Sequence, residues 1–359
     1  MTNRIIRILP ILLIGCGLWG CKESGPDGSQ SDAASNIGRS QTYSTYDFNA
    51  LDFATDTECD LDSPDIFFRF DEPGFNIDNA YLLLLTTLLS EQDPQVARDQ
   101  FASWGFTDVE MWSHPGLGTR VYIVEHDAFV LVVFRGTTEP IEYVSNAIFI
   151  TTDADIADKS DGESQAHAGI WDVHTKTRSE VSRLLTQVND LDKPVIFTGH
   201  SRGAALSVLQ AAEFAKQGGY IESVYTFAQP RLGNSQFSDS LAQLIGERYY
   251  RIEFEHDVTP RVPPSKDMAQ PLYDEGYIPL WLADMIEALD YDYDPGEVYL
   301  LSDAGYLDLD TDMHESQLEY WRGLFAAYPD LVLSIPQLMK FFPNNHHPRI
   351  YICHLAAQF

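Results

Sequence analysis

Basic residues are scarce in this chain: its 359 residues carry 23 Lys plus Arg against 54 Asp plus Glu, a formal charge of −31. An excess of carboxylates this large repels a phosphate backbone, which excludes nucleic acid as a partner. The remaining reading of the charge is a solvated acidic surface. Cysteines number only four. Long apolar runs are missing too: Ile8 to Ile14 and the YLLLLTTLL cluster between Asn79 and Ser90 both fall short of a bilayer span. The first suits the hydrophobic part of an export signal and the second a buried helix. There is no internal repeat. What is present, a hydrophobic content of 44%, suffices for a substantial core in one large domain or two small ones.

Arg4 and Arg7 precede the first apolar run, so residues 1–21 have the pattern of an export signal. It contains Leu-Ile-Gly-Cys at Leu13 to Cys16 and Leu-Trp-Gly-Cys at Leu18 to Cys21. Both resemble the lipobox of bacterial lipoproteins, whose cysteine becomes the acylated N-terminus. Cys16 fits better, because bulky Trp19 sits in the second copy. Cys21 is the alternative, since cleavage there leaves Cys59 and Cys353 as an even pair for an oxidising compartment. A lipid on either would tether the protein to a membrane without embedding it; an ordinary secretory peptide would leave it unanchored. Residues 22–45 are Gly, Ser, Asp, Asn and Gln with few large apolar side chains, the composition of a flexible linker.

Residues 46–359 read as one folded domain. Arg120 to Phe134 holds two strands. His167 to Val188 is helical, Pro194 to Thr198 a short strand and Arg202 to Lys216 a helix. A strand at Val224 to Phe227, a helix at Gln236 to Leu244 and a strand at Tyr249 to Phe254 follow. Strands and helices alternating in this way predict an α/β fold with a mostly parallel sheet covered on both faces. Residues 265–345, with an apolar stretch at Tyr277 to Leu289 and a strand-like Glu297 to Leu301, are expected to be an insertion or a cap.

Chemistry concentrates in Val195-Ile-Phe-Thr-Gly-His-Ser-Arg-Gly-Ala-Ala-Leu206. Its G-x-S-x-G, Gly199 to Gly203, lies between a strand and a helix, the context of a nucleophile elbow. Ser201 is the candidate nucleophile. A serine hydroxyl needs an imidazole base oriented by a carboxylate, and in this fold both follow the serine in the chain. Asp257, directly after a strand and before TPRVPP, is the candidate acid. Among the later histidines, His314 lies in an acidic run and His354 in the terminal apolar segment. His346 and His347 follow the loop signal Pro343-Asn-Asn; His346 is preferred and His347 is the alternative base. Oxyanion donors are expected from the backbone of Arg202 and from the turn Phe134-Arg-Gly-Thr-Thr138, where Thr137 is the choice.

These blocks resemble the class 3 lipases, from about Asn79 to the C-terminus. VVFRGTTE is similar to the family's oxyanion block, AHAGIWDV at Ala166 to Val173 to its H-x-G-F block and TGHSRGAAL to its elbow. YTFAQPRLGN at Tyr225 to Asn234 and HDVTPRVPP at His256 to Pro264 resemble two further blocks. The family's D-H-x-P-x-x-Y ending, laid on Asn345 to Tyr351, implies His346 as the base. The resemblance implies an α/β-hydrolase fold and a lipid or other ester as substrate, cleaved as by a triacylglycerol lipase or esterase, with phospholipase A1 activity as the alternative. A catalytically inactive cell-envelope binding lipoprotein is the reading from another class.

Several positions depart from that family. Arg202 replaces a usual Leu and is expected to put a charge beside the site, Glu142 and Tyr143 replace an Asp-Trp pair, and Asn345 replaces an Asp. Ala147 to Gln165, where the family has its lid, is acidic here and apolar only at its start. Neither cofactor nor metal is expected: Asp308, Asp310, Asp312 and Glu319 mimic an EF-hand spacing, but Met313 stands where that loop needs glycine.

Overall fold

In this computed structural model the described residues are 68–69, 74–136, 149–154, 156, 163–189, 193–327 and 346–359. The export signal, both lipobox cysteines, the linker, Cys59 and Thr137 lie outside them. Among the described residues ten strands fall in chain order as β1 (Asp108–His114), β2 (Thr119–Glu125), β3 (Val130–Phe134), β4 (Thr151–Asp153), β5 (Gln165–His167), β6 (Val195–His200), β7 (Ile221–Phe227), β8 (Tyr249–Phe254), β9 (Glu297–Leu301) and β10 (Leu307–Leu309). Eight of them form one sheet in the order β1-β2-β3-β6-β7-β8-β9-β10. The five strands from β3 to β9 run parallel, and the antiparallel pairs are β1 with β2, β2 with β3 and β9 with β10. This is the α/β-hydrolase fold.

The helices are α1 (Ile77–Glu91), α2 (Pro94–Ser103), α3 (Ala168–Val188), α4 (Arg202–Lys216), α5 (Ser235–Ile245), α6 (Ala269–Asp274), α7 (Leu280–Leu289), α8 (Met313–Ala327) and α9 (Pro348–Ala356). Central strands are buried on both faces, which explains why β3 and β6 read as continuous apolar runs. One face packs against α1 and α9 through Leu84, Leu88, Val133, Ile196, Ile252, Tyr351 and Leu355. The other packs against α3, α4 and α5 through Val132, Phe197, Val181, Leu206 and Leu241.

The YLLLLTTLL cluster is the middle of α1, buried from Asn79 to Ser90. Its hydroxyls survive burial because Thr86, Thr87 and Ser90 each donate to the carbonyl three residues back, at 2.6–2.7 Å. Among the described residues no helix is long and apolar enough to cross a membrane.

The described part of residues 265–345 divides between two structures. Glu297 to Leu301 is β9, an integral strand of the central sheet, while α6, α7 and α8 enclose a separate apolar cluster of Met268, Leu272, Ile286, Leu318 and Trp321. The EF-hand spacing is interrupted in the same region. Asp308 lies in β10, and Met313 begins α8. Asp312 accepts from the Glu315 amide at 3.2 Å, so it caps a helix and does not face a calcium loop.

Of the lid stretch, β4 and β5 form a two-stranded antiparallel ribbon. Ala154 and Ile156 bury against the α3 side of the sheet, a contribution that the acidity of the segment concealed.

Candidate active site

The elbow is as tight as its glycines suggest. A Cβ on Gly199 would lie 2.4 Å from the backbone of Gly203, and one on Gly203 would lie 2.4 Å from the Phe134 carbonyl oxygen. Neither contact is tolerable, so both positions require glycine. Between them Ser201 has φ 57° and ψ −128°, a conformation that costs an L-residue strain and that β6 and α4 impose from either side. Its amide donates to the Phe227 carbonyl at 2.9 Å, pinning the turn to β7.

From this turn the Ser201 Oγ reaches His346 Nε2 at 2.8 Å. The other ring nitrogen, Nδ1, is 2.9 Å from Asp257 Oδ2. Because a carboxylate accepts, Nδ1 carries the proton, and Nε2 presents its lone pair to the serine O–H. Residues 145 positions apart in the chain thus meet within proton-transfer distance. The geometry is the serine, histidine and aspartate relay of serine hydrolases.

Asp257 is fully buried, and burial of a carboxylate demands compensation. Three donors supply it: His346 Nδ1, the Thr259 amide at 2.8 Å on Oδ1, and the Tyr351 hydroxyl at 2.7 Å on Oδ2. The Tyr351 oxygen in turn accepts the Phe254 amide at 3.1 Å, so the last residue of β8 and a residue of α9 aim the phenol at the acid. Burial and the adjacent Asp257 carboxylate push the Tyr351 phenol well above its ordinary pKa, keeping it a donor.

His200 is a second imidazole at the site. It is buried, burial holds it neutral by lowering its pKa, and its Nε2 donates to the His346 carbonyl at 2.8 Å. The two rings lie 4.8 Å apart. His200 therefore positions the segment that carries His346.

The alternative base, His347, is occupied otherwise: its Nδ1 accepts the Arg349 amide at 3.2 Å and caps α9. His314 is exposed on α8. His354 lies on α9 with its Nδ1 bonded to the Ile350 carbonyl at 2.8 Å. The structure brings Ser201, Asp257 and His346 together and does not bring His314, His347 or His354 to hydrogen-bond with the serine.

Arg202 corrects one expectation. Its backbone N–H belongs to the first turn of α4, where helix amides point outward. Its side chain, however, is buried and donates to the carbonyls of Leu117 at 3.1 Å and Gly118 at 2.7 Å. Arg135 donates to the same Gly118 carbonyl at 2.9 Å. The guanidinium is buried against the turn between β1 and β2, and the charge expected beside the site is engaged there. Thr137 lies outside the described residues, but the backbone leading to it packs on the elbow. A Cβ on Gly136 would be 3.2 Å from His200 Nδ1.

Sequence reading missed the positioning roles of Tyr351 and His200. Tyr351 carried a signal, its fixed distance from His346 in the closing motif; His200 read only as the variable position of the elbow.

Fold and relay together define an α/β-hydrolase with a serine-hydrolase type of site. Residues 131–267 match the family model described as lipase (class 3), so this segment is similar to the class 3 lipases. A secreted mono- and diacylglycerol lipase, LIP4, of Malassezia restricta is 32% identical over 164 residues, covering 43% of this chain and 54% of the relative. Phospholipase A1-II 4 of Oryza sativa subsp. japonica is 28% identical over 158 residues, covering 38% of this chain and 40% of the relative. The chain thus spans about half or less of the length of these relatives. A solved triacylglycerol lipase, described as having a serine protease triad for its catalytic centre, has the same fold. Its TM-score is 0.50 at 22% identity, over 66% of this chain and 88% of that one.

Proposed function

We propose that this protein is a serine carboxylester hydrolase acting on lipid esters, with Ser201 as nucleophile, His346 as general base and Asp257 as the acid that orients it. In this reading His346 Nε2 takes the Ser201 proton as Oγ attacks the ester carbonyl carbon. The tetrahedral oxyanion is met by backbone N–H groups of Arg202 and Thr137. His346 then protonates the leaving alcohol, the acyl group stays on Oγ, and a water activated by the same imidazole releases the acid and restores the serine. Asp257 stays ionised and stabilises the imidazolium.

The single observation that carries the reading is the continuous hydrogen-bond chain from Ser201 Oγ through the His346 ring to a buried carboxylate held by two further donors. The names of the relatives favour glycerolipid substrates. An export signal over residues 1–21 and acylation at Cys16, or at Cys21, would place the enzyme on the outer side of a bacterial membrane with its substrate.

The decisive experiment is Ser201→Ala. Hydrolysis of nitrophenyl esters and labelling by a fluorophosphonate should both vanish while the circular dichroism of the fold is retained. Persisting hydrolysis would reject Ser201 as the nucleophile. Absence of hydrolysis and labelling in the wild-type protein would favour the binding-lipoprotein reading. Phospholipase A1 activity is a second reading, favoured by the name of the rice relative. Release of the sn-1 acyl chain from phosphatidylcholine, set against triacylglycerol and diacylglycerol hydrolysis, separates the two.

A further inference from the structure

Immediately before Asp257, at the end of β8, stand Glu255 and His256. They meet Asp303, in the turn between β9 and β10, and His354, on α9. His256 Nε2 is 2.8 Å from Asp303 Oδ2 and 3.7 Å from Glu255 Oε1. One ligand atom from each of Glu255, His256 and Asp303 lies within 4.8 Å of the others. His354 Nε2 approaches the second Asp303 oxygen at 4.0 Å.

We propose that Glu255, His256, Asp303 and His354 form a binding site for a divalent transition metal ion of the zinc class, distinct from the Ser201 site.

Three observations carry this beyond a surface ion pair. The first is spacing. Ligands about 2.0–2.1 Å from a tetrahedral zinc stand about 3.3 Å apart, and the two His256 distances bracket that value. Small side-chain shifts on a half-exposed surface would admit an ion.

The second observation concerns the His354 ring. Its Nδ1 faces the Ile350 carbonyl at 2.8 Å. A carbonyl only accepts, so Nδ1 carries a hydrogen and Nε2 is the ring atom left to meet a cation. That nitrogen faces a carboxylate oxygen 4.0 Å away, a separation that a cation bound to both would bridge. An Nδ1–H bonded to a backbone carbonyl is also how proteins orient a metal-binding imidazole.

The third is preorganisation. The buried Phe254 ring packs against both imidazoles, 5.5 Å from His256 and 4.7 Å from His354. The Asp303 backbone amide donates to Glu255 Oε1 in a short contact, so the Glu255 carboxylate is held to the β9–β10 turn before an ion arrives.

Two imidazoles and two carboxylates form a mixed nitrogen and oxygen set. It suits zinc, and calcium, which takes six to eight oxygens, would be poorly served. An ion here would join the end of β8, the β9–β10 turn and α9. These are the elements that carry Asp257 and, on α9, its donor Tyr351.

The test is a titration of chelator-stripped full-length protein with ZnCl2 and CoCl2, followed by calorimetry, visible absorption and thermal unfolding. One equivalent should bind, cobalt should develop the strong visible bands of a four-coordinate site, and the unfolding midpoint should rise. His256→Ala and His354→Ala should each weaken binding at least about tenfold, the scale on which even outer-shell losses act. His314→Ala, on exposed α8, should bind as wild type does, and millimolar calcium should not displace zinc. The proposal is overturned if no saturable binding occurs, if either His256→Ala or His354→Ala binds as wild type does, or if calcium displaces zinc. Binding is read without turnover, so its failure leaves the hydrolase reading untouched, and failure of that reading leaves this one untouched.

Discussion

Two buried polar regions grow from the same strand, β8, and they solve the burial of charge in opposite ways. At the strand's end Asp257 is one carboxylate with three hydrogen-bond donors and a neutral imidazole as its partner. On the strand itself Arg251 and Glu253 pair at 2.8 Å, both almost wholly buried. Arg251 also reaches the Asp294 carbonyl, and the Asp294 carboxylate accepts from the Leu232 amide and Gln229. Arg231 completes this second region, stacked on Tyr293 at 4.9 Å. In the ionic cluster Arg251 and Glu253 cancel each other in place, which fixes structure. At the Asp257 end the buried Arg261 guanidinium goes to the backbone carbonyls of Phe254 and Asp257, while the carboxylate faces His346, on which a positive charge can appear. That asymmetry is what a serine relay needs.

The comparison is broken most directly by removing one acid from each region. Asp257→Asn should lower kcat by about 10⁴, the scale of the corresponding change in serine proteases, because an amide in place of the acceptor favours the wrong imidazole tautomer. Its unfolding midpoint should move far less than that of Glu253→Ala. Glu253→Ala should cost about 3–5 kcal/mol of stability, the range for breaking a buried ion pair from one side, here the pair with Arg251. Activity per folded molecule should stay near wild type. Chemical denaturation combined with active-site titration measures both. Equal losses of stability in the two variants would show that the regions are not separable.

A smaller effect sharpens the contrast through pH. His174, on α3, is buried, and desolvation lowers its pKa from 6.5 to about 3. In the unfolded chain it titrates near 6.5, so between pH 6.5 and about 3 the unfolded state binds the extra proton. Its neutral form therefore supports the fold fully above pH 6.5, and that support drains as pH falls, with a limiting slope of about 1.4 kcal/mol per pH unit. Buried Asp294 runs the other way. Desolvation raises its pKa to about 6, so the folded state binds the proton first and stability falls as pH rises from about 4 to 6. His174→Phe should flatten the acid side of the stability profile, as followed by thermal unfolding between pH 4 and 7. An unchanged profile would mean that His174 does not remain neutral in the fold.

How much of this was legible in the sequence depended on whether a residue's role is local. The elbow was readable because Gly199, Ser201 and Gly203 solve a steric problem within one turn. The span of α4 was readable because its period and its start are local as well. β1 was missed: as an edge strand it is largely exposed, and DVEMWSH lacks the continuous apolar run of the inner strands. β4, β5 and β10 are three residues each, too short to carry a pattern. His346 is preferred over His347 even before the family resemblance implies the same choice, although the loop signal is common to both; in the structure they differ in that His347 caps α9. The destination of the Arg202 side chain was not legible, since its acceptors, Leu117 and Gly118, lie 85 and 84 residues away.

The subtlest effect is expected at Tyr351, where the comparison is finest. Its hydroxyl is one of three donors to Asp257, and Tyr351→Phe removes that donor while keeping the ring that packs between Phe254 and His200. The carboxylate keeps His346 and the Thr259 amide, so the fold should survive, while the Phe254 amide loses its acceptor. A hydrogen bond to a charged group contributes about 1.5–3 kcal/mol, and only the part that differs between ground and transition state appears in the rate. A fall in kcat of about tenfold with KM little changed is expected. Part of the lost donation should reappear as stronger attraction between Asp257 and the imidazolium. The pKa governing the acid limb of kcat/KM should therefore rise relative to wild type, a shift that a merely structural tyrosine would not produce. A tenfold loss with an unmoved acid limb would assign Tyr351 to packing alone. A moved limb would make the β8 to α9 contact part of how the acid is tuned.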